Sequence, residues 1–271
     1  MTKNYLSLYM NFKNEEKYLK EWLDFHIDVG VEHFYLINNK SDDKSLDVLQ
    51  EYIDNKKVTL FESDRNPVKP FGYEFVLKNY GNNTRWLGFI DCDEFIMPTT
   101  SNDLKEVLEE FEKYPALGIN TKMFGSSWHK ESPQTPVLES YFRRQSDTHE
   151  SKNQYHVKSI VDPSRTIHQY VNPHYFYYKS SNRENDLAVN ENHQPFSGPT
   201  TKELSFKKLC LHHYYTKSKE DFIKNKCGRP RDDNGRQRPT PKETFDRIES
   251  SLNEIEDKMA LEILKRIRRK K

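Results

Sequence analysis

The stretch WLGFIDCDEFIMP, residues 86–98, sets Asp91, Asp93 and Glu94 between two apolar runs. Adjacent carboxylates in a buried segment repel one another and lose hydration together, so something positively charged is required beside them. Asp91 and Asp93 are one residue apart at the end of a strand-like run. In extended backbone their side chains point to the same side and converge on one cation. Oxygen ligands on a strand-end loop suit magnesium or manganese bridging a diphosphate. An ordinary solvated turn is the alternative, but Phe95 and Ile96 follow directly, and a surface turn rarely buries hydrophobes beside three acids. Glu94 reads as a supporting partner of the aspartates or as a capping group.

Upstream, residues 5–10, 33–37 and 58–61 have the apolar, β-branched and aromatic character of strands. Between them, a helix beginning at Asn14 carries Tyr18, Trp22, Phe25 and Val29 on one face and ends at Gly30, and a second helix covers 45–53. A third helix, 71–80, precedes the 86–90 strand. This β-α-β-α-β alternation predicts an open, mostly parallel α/β sheet, which binds ligands beyond the carboxyl ends of its strands. Downstream, a helix near 102–114 is followed by strand-like segments at 118–124, 137–144, 156–161 and 167–178, an acceptor-facing half. Thr240, Pro241 and Glu243 supply an N-cap, a first-turn proline and a capping-box acid. One long helix should follow, with Phe245, Ile248, Leu252, Ile255 and Met259 on one face and KRIRRKK at its end.

Length and composition bound the function. The 271 residues suffice for one large domain, or a domain with an extension. Lys and Arg number 43 against 42 Asp and Glu, so no global field favours a nucleic acid, and attraction to a polyanion must be local. Cys92, Cys210 and Cys227 lack paired spacing, which disfavours a disulfide framework or a cysteine-ligated zinc site and makes a reducing compartment the simpler expectation. No apolar run approaches a membrane span, so a soluble, cytoplasmic chain is expected. Residues 179–203 read as a long polar loop.

Leu211 to Ser218 gather two histidines, two tyrosines and a lysine. Adjacent histidines in a strand point to opposite faces, so at most one reaches a metal begun by the aspartates, while Lys217 could meet a phosphate. A packed, hydrogen-bonded histidine is the alternative for either ring. Together with Lys13-Asn14-Glu15, Glu21-Trp22, Phe25-His26, His33-Phe34-Tyr35, Asn38-Asn39, Phe124-Gly125-Ser126-Ser127, Arg143-Arg144, Lys158-Ser159-Ile160-Val161, His174 and His213-Tyr214, the Asp91-x-Asp93 motif makes a sequence that resembles glycosyltransferase family 92, related to family 2. The resemblance runs over about residues 5–230 and rests on the order and spacing of its motifs.

The resemblance implies a GT-A fold within residues 1–235: a Rossmann-like nucleotide-sugar-binding half, about 1–115, joined to an acceptor half, about 116–235. The 240–271 amphipathic helix has no counterpart in it. It also implies inverting transfer of a hexose from a nucleotide sugar, since characterised animal members add β-linked galactose from UDP-galactose using manganese. On that basis Asp91 and Asp93 hold Mn2+ or Mg2+, Asp91 also contacts the nucleotide, and His213 is the late metal or diphosphate partner. Asn14, Glu15, Asn38 and Asn39 lie near the base and ribose, although a helix cap, a first-turn acid and ordinary turn residues describe them equally. The family's late lysine is commonly followed by Arg-Gly, where this chain reads Lys226-Cys227-Gly228-Arg229-Pro230; the charge is kept, the loop shape differs. Animal members carry a membrane anchor and lumenal cysteines, neither of which is expected here.

Inversion needs a carboxylate to take the acceptor's proton. Glu139 is the first choice, with Asp147 and Glu150 as competitors; each is equally an ordinary solvated acid. Lys158 reads as a phosphate or acceptor contact or as a snorkelling edge lysine, Trp128-His129 as a sugar platform or core packing, and 179–203 as a lid over the donor. The acceptor is expected to be a glycan or lipid-linked hydroxyl, with peripheral membrane contact through the basic C-terminus as a separate possibility. A metal-dependent nucleotidyl or phosphoryl transferase, or a sugar-nucleotide-binding module without catalysis, would use the same motifs.

Overall fold

β1 (Asn4–Phe12) is buried on both faces, which accounts for its nearly unbroken apolar run: Leu6, Leu8 and Met10 enter one core and Tyr9 the other. It is the centre of a parallel order β3-β2-β1-β4 with β2 (His33–Asn38), β3 (Val58–Glu62) and β4 (Thr84–Phe89). The crossovers are α1 (Leu19–Asp28), α2 (Ser45–Asp54) and α3 (Lys69–Tyr80). This computed structural model describes residues 3–180, 186–226, 229–238 and 241–269.

The expected face of α1 is the buried one: Tyr18, Trp22, Phe25 and Val29 all join the core. Its start is not at Asn14. That residue has φ 57° and is tied to the next loop, its N–H donating to Ser41 Oγ at 2.9 Å and its side chain pairing with Asp42. Gly30 ends the helix region at φ 99°, where a Cβ would also overlap the Asp103 carboxylate.

After β4 the chain turns through Ile90–Asp93 into β5 (Glu94–Pro98) and the short α4 (Leu104–Leu108), capped by Asp103. β6 (Ala116–Phe124) then continues the sheet. Residues 137–144, expected as a strand, form instead the one-turn α5 (Val137–Ser140) and a two-residue β7 (Arg143–Arg144). The reason is tertiary: Glu21 on α1 accepts the N–H groups of Val137 and Leu138 at 2.7 and 2.9 Å. β8 (Val157–Val161) runs antiparallel between β4 and β6, and β9 (Leu209–Tyr214) joins β6 in parallel and β5 antiparallel.

Residues 167–178 are not a strand. They make isolated bridges, while Phe176 packs its ring against Tyr73 and Phe89 at 5.8 and 4.8 Å, covering the sheet face rather than extending it. In the 179–203 loop, Glu191 is buried and accepts the N–H groups of Lys207, Lys208 and Leu209, fixing the segment that leads into β9.

α6 (Lys219–Lys226) follows β9. The expected single C-terminal helix is broken into α7 (Pro241–Glu249), a 3-10 turn at Ser250–Leu252, β10 (Ile255–Glu256) and α8 (Met259–Arg268). The break lies where the core captures Asp257: its carboxylate accepts Lys122 Nζ at 2.9 Å and Arg144 Nε at 2.6 Å, and its N–H donates to Phe142. Of the expected stripe, Phe245 and Leu252 are buried but Ile255 is exposed. α8 is part of the main core through Ala260, Ile263 and Ile267, not an appended helix. No described helix is long and apolar enough to cross a membrane.

Candidate functional site

A cavity of about 850 Å3 opens at the carboxyl ends of β1, β2 and β3, within the range of small-molecule sites. Parallel strands deliver residues to this edge by construction, and the turn after β4 brings Asp91, Cys92 and Asp93 to the same place. β5 then pairs with β9 so that Glu94 lies opposite His213 and Phe95 opposite His212. The alternation expected of adjacent histidines holds. His213 lines the cavity, whereas His212 is fully buried against Phe124 and pushed down to about 3 by burial.

Asp93 Oδ1 and His213 Nε2 are 3.5 Å apart, and Asp93 Oδ2 accepts Lys226 Nζ at 2.8 Å. Burial works against ionising Asp93, but Lys226 and His213 outweigh it and hold its carboxyl well below the usual range. Asp91 has a different set of partners. Lys69 lies 2.7 Å from Oδ1 and Lys158 3.0 Å from Oδ2, and these two ammonium groups overcome burial to keep the carboxyl ionised. Glu94, which the sequence left without a firm role, is 2 % exposed and ties the turn together. Its Oε2 accepts the Asp91 N–H at 2.8 Å and lies 3.0 Å from Lys158 Nζ, while Oε1 lies 3.6 Å from His213 Nδ1.

Lys158 is therefore no snorkelling edge residue. It is buried, and although burial disfavours its charge, Asp91 and Glu94 hold its pKa above the usual lysine value. Lys217 is also buried, its ammonium 3.9 Å from the Tyr18 ring centroid and close to Glu15. Glu15 has a buried oxygen with no hydrogen-bond partner and a pKa raised by burial, partly offset by Lys217.

Of the residues singled out from sequence, Glu15, Asn39, Asp91, Asp93, Lys158, His213 and Lys217 line the cavity together. Asn14 and Asn38 are not on its wall. Asn14 joins two loops, and Asn38 donates to both Glu62 oxygens while accepting the Ser41 N–H. None of the three candidate proton acceptors reaches the cavity: Glu139 pairs with Arg268 at 2.9 Å, Asp147 with Arg144 at 2.6 Å, and Glu150 lines a separate shallow pocket. Trp128 is 56 % exposed and off the wall, and His129 is held by the Ser140 carbonyl. No described residue of 179–203 lines the cavity, so the lid expectation has no support among them. The basic end is partly used internally: Arg266 donates to the Pro98, Thr99 and Ser101 carbonyls, and Arg268 holds Glu139. Cys227 and the final two lysines lie outside the described residues.

Sequence reasoning missed Lys69 and the reach of Lys226. Lys69 stands directly before Pro70 at the first turn of α3, a cation at the carboxyl edge of the sheet, and that was its available signal. For the implied divalent cation, Asp93 and His213 fit: one carboxylate oxygen and one imidazole nitrogen converge on the cavity, a donor pair suited to manganese or magnesium. Asp91 has a lysine on each of its oxygens, whereas Asp93 has one oxygen so engaged. Among the described residues no group of three His, Cys, Asp or Glu side chains is placed to hold a metal, so further ligands would have to come from the substrate and solvent.

A glycosyltransferase family 92 protein of Oryza sativa subsp. japonica is 27% identical over 172 residues, 62% of this chain and 28% of that protein. A second, from Ricinus communis, is 26% identical over 183 residues, 63% of this chain and 31% of that protein. The chain thus spans less than a third of the length of either relative. Among solved structures, S. aureus TarS 1-349 superposes with a TM-score of 0.40 at 18% identity over 59% of this chain and 47% of that one. The family model of glycosyltransferase family 92 matches residues 8–70 and 76–270, so the C-terminal elements that pack into the core belong to the matched region as well. With nearly its whole length accounted for in this way, the chain belongs to glycosyltransferase family 92.

Proposed function

We propose that this chain is a metal-dependent inverting glycosyltransferase that moves a hexosyl group from a nucleotide sugar to a hydroxyl of a glycan or lipid-linked acceptor. UDP-galactose is the donor that the family resemblance implies. The observation that carries the reading is the meeting of Asp93 and His213, 3.5 Å apart, on the wall of the cavity at the sheet's carboxyl edge. A divalent cation held by Asp93 and His213 would supply Lewis-acid neutralisation of the departing diphosphate. Glu94 places a carboxylate 3.6 Å from the other imidazole nitrogen. Lys226, at the end of α6, carries a cation beside Asp93 to the position where leaving-group charge accumulates, and Lys217 adds a second one that burial keeps from moving. Asp91 holds Lys69 and Lys158 in place, which fixes the polar floor of the site before the donor arrives.

A panel of nucleotide sugars in a thermal-shift assay, with and without manganese, tests the reading. A UDP-hexose should raise the melting temperature only with the metal, and free UDP should appear with transferred sugar. Asp93→Ala should cost at least about 100-fold in turnover, the order expected when one electrostatic stabiliser of a leaving group is lost. Donor binding indifferent to chelation and to Asp93→Ala would sink the metal site.

A further inference from the structure

The cavity carries more positive charge than a nucleotide sugar needs. Among the described residues lining it, eleven are Lys or Arg and seven are Asp or Glu, although the chain as a whole is balanced at 43 against 42. A donor diphosphate and a divalent cation bring nearly equal and opposite charge, so the surplus remains once both are bound.

The distribution is uneven. The carboxylates of the wall come from the strand ends and turns of the first half and from Asp232 and Asp233; the lining residues between β6 and His174, and those of α7, include none. On α7 and the turn that follows, Thr244, Arg247, Ile248, Ser251 and Leu252 line the cavity, a spacing that puts them on one helical face. Arg247 is the one charge on that stripe and has no ion pair among the described residues. The segment 145–156 adds Gln145, His149, Ser151, Asn153 and His156, all amides, a hydroxyl or imidazoles. The nearby acid Glu254 is not among the lining residues; it accepts the Ser146 N–H at 2.8 Å and lies 3.5 Å from His149. A guanidinium that shares its cavity with a polar segment contributing no carboxylate suits an anion with planar or tetrahedral oxygens.

We infer that the face of α7 and the 145–156 segment form the acceptor subsite, and that the acceptor carries a phosphate or carboxylate group recognised by Arg247. This rests on the glycosyltransferase reading above, because it takes the first-half wall as the donor side. Isothermal titration with UDP and manganese saturating the donor side tests it. The probes are an oligogalacturonate, a glycerol phosphate oligomer and a neutral maltooligosaccharide. At least one anionic probe should bind about tenfold or more tightly than the neutral one, and Arg247→Ala should remove about that factor, the worth of one charge-assisted contact. Which anion binds better identifies the group. Equal binding of all three probes, or an anion preference untouched by Arg247→Ala, overturns the inference while leaving the donor reading standing. Failure of UDP itself to bind overturns the donor reading and the inference with it. Because Arg247 is exposed, its loss should not impair folding, and UDP affinity of the variant checks this.

Discussion

Lys158 shows how much one residue's surroundings change its meaning. From sequence it was a lone cation in an apolar strand; in the fold its side chain is 4 % exposed and its ammonium bridges Asp91 and Glu94 at 3.0 Å each. Taking one member from a buried ionic cluster leaves the others uncompensated, so Lys158→Met should lower stability by about 3–5 kcal/mol. Urea denaturation would measure this, and a loss below 1 kcal/mol would mean that water reaches Asp91 and Glu94. Asp91 and Asp93 were legible as a pair because their spacing fixes their side. What their spacing could not say is that Lys69 and Lys158 pair with Asp91 while Lys226 and His213 meet Asp93, since these partners come from distant elements.

At the scale of elements, the α/β half was readable because each helix and strand has its own period and its own stop. β1, α1, β2, α2, β3, α3 and β4 fall close to where the apolar pattern put them. The later elements were misread where a distant side chain set the backbone. Glu21 makes a helical turn of residues 137–140, and Asp257 interrupts what periodicity alone reads as one helix. Asp257 is 9 % exposed and pairs Lys122 and Arg144 from β6 and β7. Burial opposes its ionisation; His212 beside it is uncharged near neutrality, so these two cations are what hold its carboxyl well below the usual range there. A carboxyl depressed in the folded state contributes stability above its unfolded pKa, about 3.9, and loses it as pH falls toward the folded value. Asp257→Asn should therefore destabilise the protein by about 3–5 kcal/mol at neutral pH and flatten the acid limb of its stability profile below about pH 4. Denaturation at a series of pH values reads both effects, and an unchanged acid limb would remove Asp257 from the account.

For the whole molecule, the decisive fact is that one sheet, of ten strands among the described residues, joins both halves and that α8 closes its core. Burying Ile263 and Ile267 is worth about 1.5–3 kcal/mol each. A chain cut after residue 257 should consequently lose cooperative unfolding altogether, as followed by near-ultraviolet circular dichroism during a urea titration. An independent helical extension would leave the transition in place. The sequence by itself determined the fold class, the acidic turn after β4 and that His212 and His213 point to opposite faces, because strand alternation and helical periodicity are local properties of the backbone. Only the tertiary structure decided that two lysines hold Asp91 while Lys226 and His213 share Asp93, which acids never reach the cavity, and that the last helix is part of the core. Those outcomes depend on charges and surfaces brought together from distant parts of the chain, and no local spacing records them.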